Sequence, residues 1–533
     1  MERGKIVQEF LQKGYLVSPD IFNSEFEIKK LFNILEENLK EKPLIINNHI
    51  LNSTNNLKDL NFKWEEFERA RVLLEKGRND ESYNTFLSLM ISKKTNELQQ
   101  AFTSSVKLVK NYIKPDKKIE LQDFVEYFRT RYKVLREILE KRQELHEVIS
   151  ISKVLNKKDK DNATIIGIVM NKEVTKNGNF IFDIEDLTGR IKVIVGKNDQ
   201  ELYNACKEIS LDEVLGIIGS FSKGVLFGRR VIFPDIPLTK EFKKSPNEAF
   251  LVCTSDIHVG SRLFYKEDFL NFIEWVNGNV GDEKQKEIAR KIKYITMTGD
   301  LVAGIGVYPG QDKDLEIKDI REQYRELANL LSRIRKDIFL ILCPGDHDSV
   351  RVSEPQPILD KEFAPEIFEM RNVILVTNPG FINIHSSDNF SGFDIILYHG
   401  HSFIYYADNV ESIRSKGWTA RGDLIMKYLL QRRHLSPTHT ATLYIPDAKN
   451  DPLVIDVIPD FIITGHLHQI SNLNYRNVSL IGCGCWEGLT PYQEKTGSKT
   501  DTAKVTLVNL KTRDLTILSF LKQTFEEANG MNK

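Results

Sequence analysis

Five short apolar runs mark the second half of the chain: Phe250-Leu251-Val252-Cys253, Tyr294-Ile295-Thr296-Met297, Phe339-Leu340-Ile341-Leu342, Ile395-Ile396-Leu397-Tyr398 and Phe461-Ile462-Ile463. None alternates apolar with polar residues, as expected for strands buried on both faces. Helical periodicity fills the gaps, over 266–275, 284–291 and 317–336. Strands alternating with helices predict an α/β domain, here over 247–520.

Upstream the pattern changes twice. Phe124, Tyr127, Phe128, Tyr132, Leu135 and Leu139 recur at helical spacing and predict a connecting helix over 121–154. Arg129, Arg131, Arg136, Lys141 and Arg142 decorate it. They read as a solvated basic face, with a nucleic-acid track as the sharper alternative. Over 155–240, short β-rich runs separated by Asn-Gly, Thr-Gly and Lys-Gly turns predict a small antiparallel barrel. The turn Asp186-Leu187-Thr188-Gly189-Arg190 fits an oligonucleotide-binding (OB) barrel. Outward-facing rings among Phe180, Phe182, Phe221 and Phe227 would favour single-strand binding, and the sequence leaves open which face out. At the N-terminus, Ile6, Phe10 and Leu11 share one helical face and Ile28, Leu31, Phe32 and Leu35 another, predicting a helical module over 1–62. The Ser/Thr/Asn/Lys-rich stretch over 63–120 reads as a linker or partly ordered arm.

Length and composition add limits. At 533 residues the chain exceeds one hydrophobic core and should form several domains. A formal net charge of −1 gives no global basic signature, so any nucleic-acid contact must be local. Five cysteines, never spaced as Cys-x-x-Cys, argue for a reducing compartment without disulfides or a thiolate zinc site. No apolar run approaches the length of a membrane span, so the expected location is cytoplasmic, with no membrane partner.

The chemistry lies just past the apolar runs. They are followed by Asp256-Ile257-His258, Gly299-Asp300, Gly345-Asp346-His347-Asp348, His399-Gly400-His401 and Gly465-His466-Leu467-His468. Residues past the ends of neighbouring buried strands converge on one rim, the usual ligand site of α/β sheets. Phosphodiester hydrolysis needs a strong nucleophile beside an anion, and two metal ions about 3.5–4 Å apart serve both needs. Asp300 is the candidate bridge. Asp256, His258 and His468 would complete one shell, and Asp346, His399 and His466 the other. Mixed carboxylate and imidazole ligation suits manganese, iron or zinc better than calcium, and magnesium usually takes fewer histidines. His347 is the candidate general acid, and Asp348 the residue to orient it. His401 would bind phosphate, support a ligand or simply pack, and Arg351 would reach phosphate or lie on the surface. His385, His434 and His439 fit no motif and read as loop or surface residues. Each motif alone is weak; all five in order, each after an apolar strand, are specific.

At these residues the chain resembles the calcineurin-like metallophosphoesterases, whose fold is a two-sheet sandwich flanked by helices. A more detailed resemblance, to the small exonuclease subunits of archaeal family D DNA polymerases, rests on two stretches. They are Gly299-Asp300-Leu301-Val302-Ala303-Gly304-Ile305-Gly306-Val307-Tyr308-Pro309-Gly310-Gln311, and Pro344-Gly345-Asp346-His347-Asp348 followed by Glu354-Pro355-Gln356-Pro357. The domain order is also similar. The resemblance implies a manganese-dependent 3′→5′ proofreading exonuclease, acting on DNA with a single-stranded 3′ end and paired with a large catalytic subunit. It also implies an N-terminal docking element for other replication proteins, such as the sliding clamp or primase. Two residues depart from the pattern. Asp346 stands where the phosphoesterases have asparagine, and Ala303 where an acidic residue is common. Two other functions compete with this one. A structural polymerase subunit would bind its partner without degrading a primer. A free-standing phosphatase would turn over a phosphoserine peptide, but its usual Asp-Arg-Gly continuation is absent here.

Overall fold

The computed structural model describes residues 16–17, 45–46, 106–110, 112, 118–447, 449–490, 493–494, 497 and 499–521. The chain divides into two units, Met1–Gln99 and Gln100–Lys533. In the first, Leu16–Val17 pairs in parallel with Ile45–Ile46. The helical module expected over 1–62 otherwise falls outside the described residues, as does most of the stretch expected as a linker or arm over 63–120. Within that stretch Val106–Lys110 (β1) forms an edge strand of the second unit. Val106 and Leu108 turn inward and Lys107 and Val109 outward, an alternation too short to stand out in a Lys-rich segment.

Leu121–Glu140 (α1) is the predicted connecting helix, ending earlier than expected. Five strands then close a barrel: Asn162–Val174 (β2), Phe180–Asp186 (β3), Gly189–Val195 (β4), Val214–Ser222 (β5) and Val225–Ile232 (β6), in the order β2-β3-β4-β6-β5. All pairs are antiparallel except β4 with β6. The turn after β3 is fixed by Asp186, whose Oδ1 accepts the backbone N–H groups of Thr188 and Gly189. Phe180, Phe182 and Phe221 are buried in the barrel core, and of the four phenylalanines only Phe227 is exposed.

Two six-stranded sheets form the larger part. The first runs β10-β9-β8-β7-β16-β17, comprising Phe250–Thr254 (β7), Ile292–Thr298 (β8), Phe339–Cys343 (β9), Val373–Leu375 (β10), Lys504–Asn509 (β16) and Leu515–Ser519 (β17). The second runs β14-β15-β13-β12-β11-β1, with Gly380–Ile384 (β11), Phe393–Tyr398 (β12), Phe461–Thr464 (β13), Ser471–Tyr475 (β14) and Val478–Gly482 (β15). Strands β7 to β10 are parallel, as are β12, β13 and β15.

The lack of alternation in the apolar runs has a direct cause. Leu251 and Cys253 of β7 share a core with Ile395 and Leu397 of β12, so one face of each sheet packs on the other. The opposite face of β7, through Phe250 and Val252, packs with Phe269 and Phe272 of Lys266–Val276 (α2) and Tyr324 of Ile320–Ser332 (α3). Pro365–Glu369 (α4) lies between β9 and β10 in sequence, and its Ile367 joins the same core. The outer face of the second sheet, through Ile396 and Ile462, packs on Gly422–Arg432 (α5).

Buried polar contacts tie helix and barrel to the sheets. Arg131, expected on a solvated basic face, is 1% exposed instead. Its Nε donates to Asp451 Oδ2 at 2.7 Å, and Tyr127 donates its hydroxyl to Asp451 Oδ1 at 2.8 Å. His434, expected in a loop or at the surface, lies just past α5 but is fully buried, 2.9 Å from the same carboxylate. From the barrel, Glu213 pairs with Arg432 at 3.2 Å and accepts the Tyr428 hydroxyl. Among the described residues no helix is long and apolar enough to cross a membrane.

Candidate metal centre

Each motif leaves the C-terminal end of a parallel strand. Asp256 and His258 follow β7, Asp300 follows β8, Asp346 follows β9, His399 follows β12 and His466 with His468 follows β13. The backbone then turns sharply. Asp256, His258, Asp300, His466 and His468 all sit at positive φ, between 49° and 67°. Non-glycine residues rarely occupy this region, and they do so at sites the surrounding structure over-determines. The loops are stitched together to hold it: Asp256 N–H donates to Gly299 O, His258 N–H to Asp300 O and Gly465 N–H to His399 O, each at 3.0 Å. Gly345 is required for a different reason. A Cβ there would collide with the backbone nitrogen and Oδ1 of Asp300.

These turns bring all seven expected donors together. One ligand atom from each of Asp300, Asp346, His399 and His466 lies within 4.8 Å of the others, and the same holds for Asp256, His258 and His468. Asp300 joins the groups: its Oδ2 is 3.3 Å from His399 Nε2 and 3.8 Å from His258 Nε2. His399 Nε2 is also 2.9 Å from Asp346 Oδ1, which His466 Nδ1 approaches at 3.2 Å. In the other group, the Nε2 atoms of His258 and His468 are 3.2 Å apart, and His468 Nε2 is 3.2 Å from Asp256 Oδ1.

The donor chemistry fits divalent cations. Two imidazole nitrogens and carboxylate oxygens crowd one space, where a cation would accept all their lone pairs. Without a cation the same groups neutralise one another. Burial pushes Asp256 up, but His468 and His399 hold it below the usual carboxylate range. Burial likewise opposes charging of His399, yet Asp300 and Asp346 hold its imidazole well above its ordinary value.

The family model for the B subunits of DNA polymerases alpha and epsilon matches residues 251–472, a stretch that contains all seven donors. The DNA polymerase II small subunit of Methanothermobacter thermautotrophicus is 36% identical over 375 residues, covering 70% of this chain and 75% of its own. That of Pyrococcus furiosus is 36% identical over 406 residues, and that of Methanocaldococcus jannaschii 38% over 394. The chain belongs to the small subunits of archaeal family D DNA polymerase. It spans 64% of the length of each of the latter two relatives, under two thirds. Asparaginyl-tRNA synthetase from Pyrococcus horikoshii, a solved structure, matches 16% of this chain and 22% of its own at 17% identity, with a TM-score of 0.15, too slight a likeness to bear on the small subunit.

The remaining predicted residues of the small subunit divide. His347 is at the centre: its ring is 4.7 Å from that of His258, and its backbone N–H donates to Asp300 Oδ1 at 2.9 Å. Burial works against its protonation, but Asp300, Asp346 and the Ala303 carbonyl hold its pKa above the ordinary imidazole value. Asp348 does not orient it. Its Oδ2 accepts the backbone N–H groups of Gly345 and Leu301, and its Oδ1 accepts the Tyr324 hydroxyl. Burial and the neighbouring Asp300 push Asp348 up to about 7. Its place is inside the loop rather than beside the imidazole. His401 stacks on the His466 ring at 5.9 Å, behind the donors, and burial pushes it down to about 4. Arg351 donates to the carbonyls of Ser353 and Pro355 and lies over the Tyr112 ring, so its guanidinium is committed to its own loop.

Two residues of the centre carried no motif. Glu487 Oε2 is 3.9 Å from His258 Nε2 and mostly buried. It lies five residues past β15, another parallel strand end, which was the signal available. Gln493 meets His468 Nδ1 at 3.0 Å; nothing in its sequence context marks it.

Proposed function

We propose that this small subunit is a metal-dependent 3′→5′ exodeoxyribonuclease that binds two divalent ions, manganese above others, and works with the large catalytic subunit on a single-stranded 3′ end. The observation that carries the reading is Asp300, whose Oδ2 lies between an imidazole of one donor group and an imidazole of the other. The paired sheets and the closed barrel support a calcineurin-like sandwich and an OB fold, respectively.

Asp256, His258, His468 and Asp300 would hold one ion; Asp346, His399, His466 and Asp300 would hold the other. When bound, such a pair activates water and neutralises the phosphate. The rest falls to the chain itself. The tight loops fix every donor before substrate arrives, so little reorganisation remains for the reaction. His347, anchored through Nδ1, keeps Nε2 for the oxygen that departs as the P–O3′ bond breaks. Water's oxygen joins phosphorus, the departing oxygen takes a proton, and a 5′-mononucleotide separates from a strand with a new 3′ hydroxyl.

Asp346 keeps an oxygen where a ligand is needed, while its extra negative charge works against the pull on phosphate. Its Oδ1 lies 2.9 Å from His399 Nε2 and 3.2 Å from His466 Nδ1, where an asparagine oxygen could also stand. A 3′-mismatched primer, incubated with manganese and the chain with or without the large subunit, tests the reading. Mismatch removal that stops on chelation is the expected result. Stable association with the large subunit and no degradation would leave a structural subunit, and turnover of phosphoserine peptide in place of DNA would make it a phosphatase.

A further inference from the structure

Beside the metal centre runs an open groove of about 1200 Å³. Its wall includes Asp346 and His347 of the centre, Ile305 and Val307 from one loop, and Val352 and Ile358 from another. Phe368 of α4 also lines it. Its character is unlike that of the donor cluster. Ile305 is 50% exposed, Val352 42%, Val307 38% and Phe368 37%, so four large apolar side chains face solvent in one depression. Its cations are Arg351, which is occupied by loop carbonyls, and Lys361. Such a surface suits a flat, weakly polar group rather than a phosphate backbone.

Resting on the exonuclease reading above, we infer that this groove receives an unstacked base flanking the scissile phosphate of a single DNA strand. Continuity carries the assignment. Asp346 and His347 belong to both the centre and the groove wall, so a phosphodiester held at the centre has a nucleoside directed along the groove. Apolar and aromatic side chains hold bases with little regard to sequence, because every base offers a flat face. A base paired in a duplex is stacked between its neighbours and must leave them to enter. The groove therefore selects frayed or mismatched 3′ ends by requiring an unstacked base, with no reading of base identity.

The test uses the full chain, alone and with the large subunit, and two manganese-dependent probes. One is a single-stranded oligonucleotide whose two 3′-terminal residues are normal or abasic; the other is a short tetrahydrofuran-phosphate oligomer, a base-free ester with no aromatic ring. Phe368→Ala should raise the KM for the normal oligonucleotide about tenfold and leave turnover of the base-free ester within twofold. The abasic end should raise the wild-type KM by a similar factor and have no further effect on the variant. Val352→Ser, on a different wall, should behave alike and guards against a local packing defect. An unchanged KM in both variants, or an abasic penalty equal in wild type and variants, overturns the inference. So does loss of co-elution with the large subunit at unchanged KM, which would make the groove a protein-docking surface. If the wild-type chain hydrolyses neither probe, the exonuclease reading fails first and this inference falls with it.

Discussion

The imidazole of His347 is held by a main-chain atom: its Nδ1 lies 2.8 Å from the carbonyl oxygen of Ala303. A carbonyl accepts only, so Nδ1 carries the proton and Nε2 is the nitrogen left for chemistry. The side chain at position 303 takes no part. The anchor therefore does not depend on which side chain stands at 303.

His347→Ala should lower cleavage of single-stranded DNA by about 100-fold or more while manganese content stays at the wild-type level. Cleavage rate and metal stoichiometry, measured on one preparation, check this. Unchanged cleavage would remove His347 from the mechanism.

Asp348 has a structural task, and its variants should show it. Asp348→Ala would strand the buried N–H groups of Gly345 and Leu301 and cost about 3 kcal/mol of stability, read by chemical denaturation. Asp348→Asn keeps one acceptor oxygen and should cost about 1 kcal/mol, with cleavage per folded molecule within about threefold of wild type. Loss of cleavage at full stability in both variants would restore the orienting role expected from the sequence.

Asp346→Asn should retain or raise nuclease activity. The oxygen that meets His399 and His466 survives, and a negative charge opposing the phosphate is removed. A tenfold or greater loss under saturating manganese would contradict the assignment of this residue as a ligand.

A pH dependence follows from His434, away from the metal centre. Its Nδ1 accepts the Ser436 N–H and its Nε2 faces Asp451. Burial and the adjacent Arg131 outweigh Asp451 and push the imidazole down to about 4. The fold thus favours the neutral ring. Its contribution is complete above the unfolded value of about 6.5, and it is lost as pH falls through 4. The difference corresponds to about 3 kcal/mol. Between pH 7 and pH 4 the wild type should lose about 2–3 kcal/mol more stability than His434→Gln. Equal losses would mean that the ring protonates in the folded state.

The buried strands and their motif-bearing ends were legible because each leaves a local mark: an apolar run with no alternation, then a carboxylate or imidazole. All seven donors were found this way. What escaped depends on partners far away in sequence. Arg131 looks like its solvated neighbours until Asp451, 320 residues on, is brought against it. His434 is hidden by the same carboxylate. Glu487 sits one residue past a buried tryptophan whose backbone N–H holds the Asp256 carbonyl, a contact that no spacing rule reveals. Asp348 was misassigned because adjacency in sequence suggested contact, whereas the loop turns its carboxylate inward onto backbone N–H groups.

The central claim is that Asp300 joins two cation sites. The most direct measurement is anomalous diffraction on either side of the manganese absorption edge, from crystals grown with manganese. Two peaks should appear, one among Asp256, His258 and His468 and one among Asp346, His399 and His466, with the Asp300 carboxylate touching both. No peak, or peaks remote from Asp300, would contradict the account.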